Sequence, residues 1–282
     1  MAHPENDTAV AVLSALLGAP IVPVRAPAAA IRRALVRAGS LAPARHSRVL
    51  VWSDASAAAG AAGNMAALFA TALAASLTEL PPAVDLQAAL TVAHEGAYDL
   101  AILHASASVT PAQLWQQSAT SLLLLRATPV RLQQILFILR GYNADRHALE
   151  WLAPLLLQPG VAVTLLPLSL FAQPAPASPL SLPAPQHDHL RECLDHTALQ
   201  GIPVFVRFRQ GTAVHQVVAE ASQGKYDLVV ISAEGYGHFV SRVLAALELE
   251  PASRPATRPL SYFVLKPPAG GPTGERPATQ PG

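Results

Sequence analysis

The sequence predicts an α/β protein made of two copies of one unit, each a five-stranded parallel sheet with helices on both faces. Three observations carry this. Short continuous Val/Ile/Leu runs such as QILFIL (134–139) lack polar alternation, as do strands covered on both faces. They alternate with longer segments of helical periodicity, which is the signature of βαβ repetition and a parallel sheet. One phrase is also written twice: GAYDLAILHAS from Gly96 returns as GKYDLVVISAE from Gly224.

The apolar positions before the phrase repeat as well, with Leu86, Ala89, Leu90 and Ala93 matching Val214, Val217, Val218 and Ala221. A second pair aligns IVPVRAPAAAIRRAL from Ile21 with LFILRGYNADRHALE from Leu136. The spacing between the two pairs is larger in the second copy, which places an insertion there. The proline-rich segment 171–185 (FAQPAPASPLSLPAP) is that insertion, a surface loop or linker.

In the first copy the expected strands are IVPV (21–24), RVLVW (48–52), a segment near Ala83 to Asp85, LAILHA (100–105) and SLLLLR (121–126). The uncharged stretch from Ala55 to Leu77 is long enough to span a bilayer, but it is mostly Ala and Gly, with Asn64 in its middle and no basic flank. It reads as a helix packed on a sheet. Asp54 and Ser56, just before it, stand at a strand end where a catalytic group could be placed, and the preferred reading is that they are N-caps.

In the second copy the strands are QILFIL (134–139), VAVTLLPL (161–168), PVFVRF (203–208), YDLVVIS (226–232) and LSYFVL (260–265). Helices are expected over 144–157, 188–199, 213–223 and 239–249. Residues 1–127 and 128–267 thus form the two domains, and 268–282 has too little apolar content to fold and reads as a disordered tail.

With 282 residues, 51% of them hydrophobic, the chain can bury one large core or two ordinary ones. Its 19 basic and 18 acidic residues leave no field to attract nucleic acid or an anionic membrane. Cys193 is the single cysteine, so no intrachain disulfide is expected, and with no secretory leader the reading is cytoplasmic.

The second copy, over 134–267, resembles a universal stress protein domain. The resemblance rests on ILFILRGYNADRHALEWLAPLL and on GTAVHQVVAEASQGKYDLVVISAEGYGHFVSRVLAAL. The first copy resembles the family only through its repeat relation to the second. The resemblance implies a Rossmann-like fold of the HUP type and a non-enzymatic role in stress response exercised through a protein partner. It also implies that the domains pair through their last strands, SLLLLR and LSYFVL, as an intrachain pseudo-dimer, with a homodimer as a further allowed assembly.

Some family members bind ATP, which makes an adenine-nucleotide switch the alternative reading. In those members the fourth strand ends in Gly-x-x-Gly followed after nine residues by Gly-Ser or Gly-Thr, so that backbone N–H groups can approach phosphates at a helix N-terminus. Here the turn reads Ser232-Ala-Glu-Gly235, with Gly237 beyond it and Ala245-Ala246 in place of the hydroxyl. The first strand of such members ends in an aspartate, where this chain has Arg140 followed by Gly141, and Arg25 in the first copy. Arg140, Gly141, Ser232, Gly235 and Gly237 are therefore the residues at which ATP or another anionic nucleotide would be held. The first copy reads His104-Ala-Ser-Ala107 at its turn, with no glycine and no recognisable site.

Two other patterns bear on chemistry. His189, Cys193 and His196 share a helix face at metal-ligand spacing, although the same helix buries Leu190 and Leu194, and the packing role is preferred. A hydrolase or transferase on this architecture would need a convergent acid, base or metal, and the sequence offers none.

Overall fold

The computed structural model describes residues 48–54, 59–73, 75–104, 110–126, 132–168, 184–223, 226–234, 237–249 and 260–266. Along them run β1 (Arg48–Ser53), α1 (Ala59–Leu73), β2 (Ser76–Glu79), α2 (Leu86–Glu95), β3 (Leu100–His104), α3 (Pro111–Gln117), β4 (Ser121–Leu125), β5 (Gln134–Leu139) and α4 (Asn143–Leu156). Then follow β6 (Ala162–Pro167), α5 (Ala184–Leu199), β7 (Val204–Val206), α6 (Ala213–Gln223), β8 (Leu228–Ser232), α7 (Gly237–Leu249) and β9 (Ser261–Leu265).

The strands form one sheet in the order β2-β1-β3-β4-β9-β8-β5-β6-β7. All neighbours are parallel except β4 and β9, which pair antiparallel with Leu123 opposite Phe263. The two expected five-stranded sheets, paired through SLLLLR and LSYFVL, are found among the described residues as a single sheet, with four strands from the first half and five from the second, joined where β4 meets β9. The physical reason lies in β4 and β9, SLLLL and SYFVL, which are buried along their whole length. Left apart, each would present an open ladder of N–H and C=O groups beside apolar side chains, and pairing satisfies both.

Side chains alternate between the two faces of the sheet. Val49, Leu123, Phe137 and Phe263 pack on one face under α1, α4 and α5, while Leu50, Leu136, Leu244 and Tyr262 pack on the other with α2, α3, α6 and α7.

In the second half the expected strands and helices are found with small shifts at their ends, PVFVRF shrinking to Val204–Val206. The first half departs more. No strand forms near Ala83 to Asp85; Pro81 and Pro82 lead into a turn there, and Asp85 caps α2 by accepting the N–H of Ala88 at 2.7 Å. The strand is instead Ser76–Glu79, so the long uncharged stretch is divided and its helix has 15 residues. No helix among the described residues is long and apolar enough to cross a membrane.

IVPV (21–24) lies outside the described residues, and so do most of the proline-rich segment and the tail. The central place that β5 holds beside β8 is held in the first half by β1 beside β3. The repeated Tyr-Asp explains why. Asp227 Oδ2 accepts the N–H groups of Gln133 and Gln134 at 2.9 and 3.0 Å, and Asp99 Oδ2 accepts that of Arg48 at 2.9 Å. Asp99 thus ties the start of β3 to the start of β1, and Asp227 ties the start of β8 to the start of β5.

Candidate functional site

In an open parallel sheet, ligands bind at the carboxyl ends of the strands where the order reverses. In the second half this point lies between β5, which leads outward to β6 and β7, and β8, which leads inward to β9. Arg140 follows β5 and Ser232 ends β8, so the fold brings together two of the expected residues.

Arg140 is only 4% exposed. Its guanidinium lies over the rings of Tyr142 and Phe239, 4.9 and 4.6 Å from their centroids. Its Nη1 donates to the carbonyl oxygens of Ser232 and Glu234 at 3.1 and 2.8 Å, and its buried Nε has no hydrogen-bond partner among the described residues. Burial holds this guanidinium below the usual arginine range, against the opposing pull of Tyr142, Asp145 and Glu234.

Beneath it, Asp145 is fully buried and accepts the N–H groups of Arg140, Gly141 and Tyr142 on Oδ2, at 2.7, 2.9 and 3.3 Å. Gly141 has φ +85°, a conformation that a side chain would strain and that lets these successive donors converge. Asp145 Oδ1 accepts the Ser232 hydroxyl, and His189 Nε2 lies 3.0 Å from Oδ2. Glu234 Oε2 accepts the N–H of Ala144 at 2.8 Å. Two internal carboxylates thus occupy the N-terminus of α4, where the helix dipole would otherwise attract a bound anion.

Gly237 is the first residue of α7, and Gly235 lies outside the described residues. Asp145 and Glu234 were not singled out in the sequence. An acid in the first turn after Arg-Gly-Tyr is a signal that could have found Asp145; nothing local marks Glu234 as a cap for a helix that begins 91 residues earlier.

α5 sets His189 Nε2 3.7 Å from the buried Cys193 Sγ, but the same nitrogen faces Asp145. His196 Nε2 is taken by Gln200 at 2.7 Å. Burial pushes the Cys193 thiol far above its usual range, which keeps it an inert packing group. Among the described residues no three His, Cys, Asp or Glu side chains are grouped to hold a metal ion.

In the first half the equivalent strand ends carry Asp54, after β1, and His104, at the end of β3. Arg25, expected at this point, lies outside the described residues, and the residue that fills the place is an acid. The Asp54 N–H donates to the His104 carbonyl at 3.1 Å, and His104 Nδ1 lies 3.7 Å from Asp54 Oδ1. His104 is 4% exposed, and neither ring nitrogen has a hydrogen-bond partner among the described residues. Ser56 and Ala105 to Ala107 lie outside the described residues.

No family model matches the chain, and no curated protein matches it. Among solved structures it is similar to a universal stress protein from Archaeoglobus fulgidus DSM 4304, at 14% identity over 70% of this chain and 71% of that one, with a TM-score of 0.44. It is similar to a universal stress protein family member from Burkholderia pseudomallei at 18% identity, covering 49% of this chain and 97% of that one, with a TM-score of 0.33. Ligand-free aspartate transcarbamoylase from Trypanosoma cruzi follows at 13% identity over 79% and 72%, with a TM-score of 0.28. At these scores none of the three bears on what this chain binds or does.

Proposed function

We propose that the chain is a non-enzymatic, cytoplasmic regulator of the universal stress protein type, built from two duplicated units paired within one chain and acting by contact with a protein partner. The observation that supports this most is the filled crevice of the second half. Arg140 spends its guanidinium on two carbonyls and two rings, and Asp145 and Glu234 consume the N–H groups that a phosphate would use. A ligand there would have to displace all of these contacts, each of which is already made in the protein. Titration calorimetry with ATP and ADP is expected to give no binding heat attributable to this crevice. Nucleotide binding that Gly235→Arg abolishes would overturn the reading.

A second reading is favoured by Asp54. It is an acid at the strand end where ATP-binding members of the resembled family carry one, its side chain is 25% exposed, and the buried His104 beside it has spare hydrogen-bonding capacity. On this reading a nucleotide is held in the first half and the second half is its scaffold. Nucleotide binding lost in Asp54→Ala and retained in Gly235→Arg would establish it, while binding indifferent to Asp54 would reject it.

A further inference from the structure

The antiparallel register of β4 and β9 relates the halves by a local two-fold axis through Leu123 and Phe263. It matches β4, β3, β1 and β2 to β9, β8, β5 and β6 in turn, and leaves β7 without a counterpart among the described residues. The match extends to single residues: Leu77 opposite Val49 answers to Val163 opposite Ile135, and Glu79 opposite Val51 to Leu165 opposite Phe137. Val163 and Leu165 are residues through which β6 bonds to β7, by way of the Pro203 carbonyl at 3.2 Å and the Arg207 N–H at 2.9 Å. On β2 the Leu80 N–H donates to the Val51 carbonyl at 2.9 Å, so Thr78 and Leu80 turn their backbone groups to β1, and Leu77 and Glu79 turn theirs outward. No described strand meets them there. Leu77 is accordingly 41% exposed, where Val163 is fully buried.

After β2 the chain passes through Pro81 and Pro82 to α2 and supplies no outer strand. IVPVR (21–25), outside the described residues, has the properties this place requires. With Val22 and Val24 turned to β2, Pro23 faces away, where its missing N–H costs nothing; a proline that argues against a central strand suits a terminal one. The 22 residues from 26 to 47 exceed the dozen or so of a crossover to a parallel strand, and to reach β1 they have to pass only β2, about 10 Å sideways. Charge favours this occupant over a second copy. Residues 1–47 hold five arginines and two acids, and residues 48–126 hold five acids and two arginines. The segment is attracted to the half whose edge it would cover, while two such edges, each carrying Glu79, repel one another.

We propose that the outer edge of β2 is a strand-docking site whose occupant is residues 21–25 of the same chain. The backbones of Val22 and Val24 exchange hydrogen bonds with those of Leu77 and Glu79, and the segment becomes a tenth strand beside the nine described. It fills on the first half the place that β7 fills on the second, from the opposite end of the domain's sequence.

The test is amide hydrogen exchange, read residue by residue by NMR in the full-length protein. The Leu77 and Glu79 amides are expected to be protected in the wild type. In Val24→Pro, which removes a ladder donor, they should exchange at least about tenfold faster, while Thr78 and Leu80, held by β1, keep their rates. Pro23→Ala should leave all four unchanged. In the wild type, nuclear Overhauser contacts between residues 22–24 and 77–79 should identify the occupant independently of any variant. Their absence overturns the proposal. So do wild-type Leu77 and Glu79 amides that exchange as in an unfolded chain, which would leave the edge open to a strand from another protein. Protection that rises with protein concentration also overturns it, since the occupant would then be a second copy.

Discussion

The backbone N–H of Lys266 donates to the hydroxyl of Ser121 at 3.1 Å, and across the local two-fold the N–H of Arg126 donates to Ser261 at 3.3 Å. Each serine begins one strand of the junction and receives the residue that follows the other strand. The pairing is reciprocal, and it closes the ladder at both ends without a side chain longer than serine.

Replacing Ser121 or Ser261 by Ala leaves a partly buried N–H without its acceptor. Each substitution should cost about 1–2 kcal/mol in urea unfolding. A neutral result at both positions would mean that the ladder holds without its ends.

The two copies of Tyr-Asp predict unequal costs. Asp227 is 3% exposed and accepts two N–H groups, whereas Asp99 is exposed and accepts one. Asp227→Ala should cost about 2–3 kcal/mol and Asp99→Ala less than about 1. Equal losses would remove the distinction drawn from burial.

At Arg140, charge and shape can be separated. Methionine keeps an apolar body between Tyr142 and Phe239 and removes a buried charge, so Arg140→Met should cost about 1 kcal/mol. Arg140→Lys keeps the charge but loses the planar fork, and should cost about 2–3 kcal/mol. A lysine better tolerated than methionine would show that the site is built to hold a cation.

His196 gives the pH dependence. Desolvation holds it below the ordinary 6.5, and the Gln200 amide beside Nε2 suits the neutral ring. The unfolded chain therefore takes up a proton first as pH falls, and stability drops from about pH 6.5 down through the lowered folded value. Unfolding midpoints of wild type and His196→Gln should converge near pH 8 and separate below pH 6, with the wild type the more acid-sensitive. Parallel curves would place the acid response elsewhere.

The second half was legible because β5, β6, β8 and β9 are buried on both faces, and such strands write unbroken apolar runs. β2 was not: SLTE sits at the sheet's edge with three of its four residues exposed, so no burial pattern marks it. The place of β1 was misread by aligning IVPV with β5. Pro23 within that run removes a ladder donor and argues against a central strand, whereas RVLVWS has no such break. The filled crevice was beyond any local reading, since Arg140 Nη1 donates to carbonyls 92 and 94 residues away.

The antiparallel meeting of β4 and β9 has a directional consequence. Because every other pairing is parallel, the strands of the first half all point opposite to those of the second. Asp54 and Arg140 therefore open on opposite rims of the sheet, with β3 and β8 separated laterally by three strand spacings, about 14 Å. No single small molecule touches both. Any communication between the rims has to cross the junction of the halves, through the paired β4 and β9 or through the helices that meet across it, α1 with α4 and α3 with α7, and a partner that reads both must reach around the sheet or come as two molecules, one to each rim.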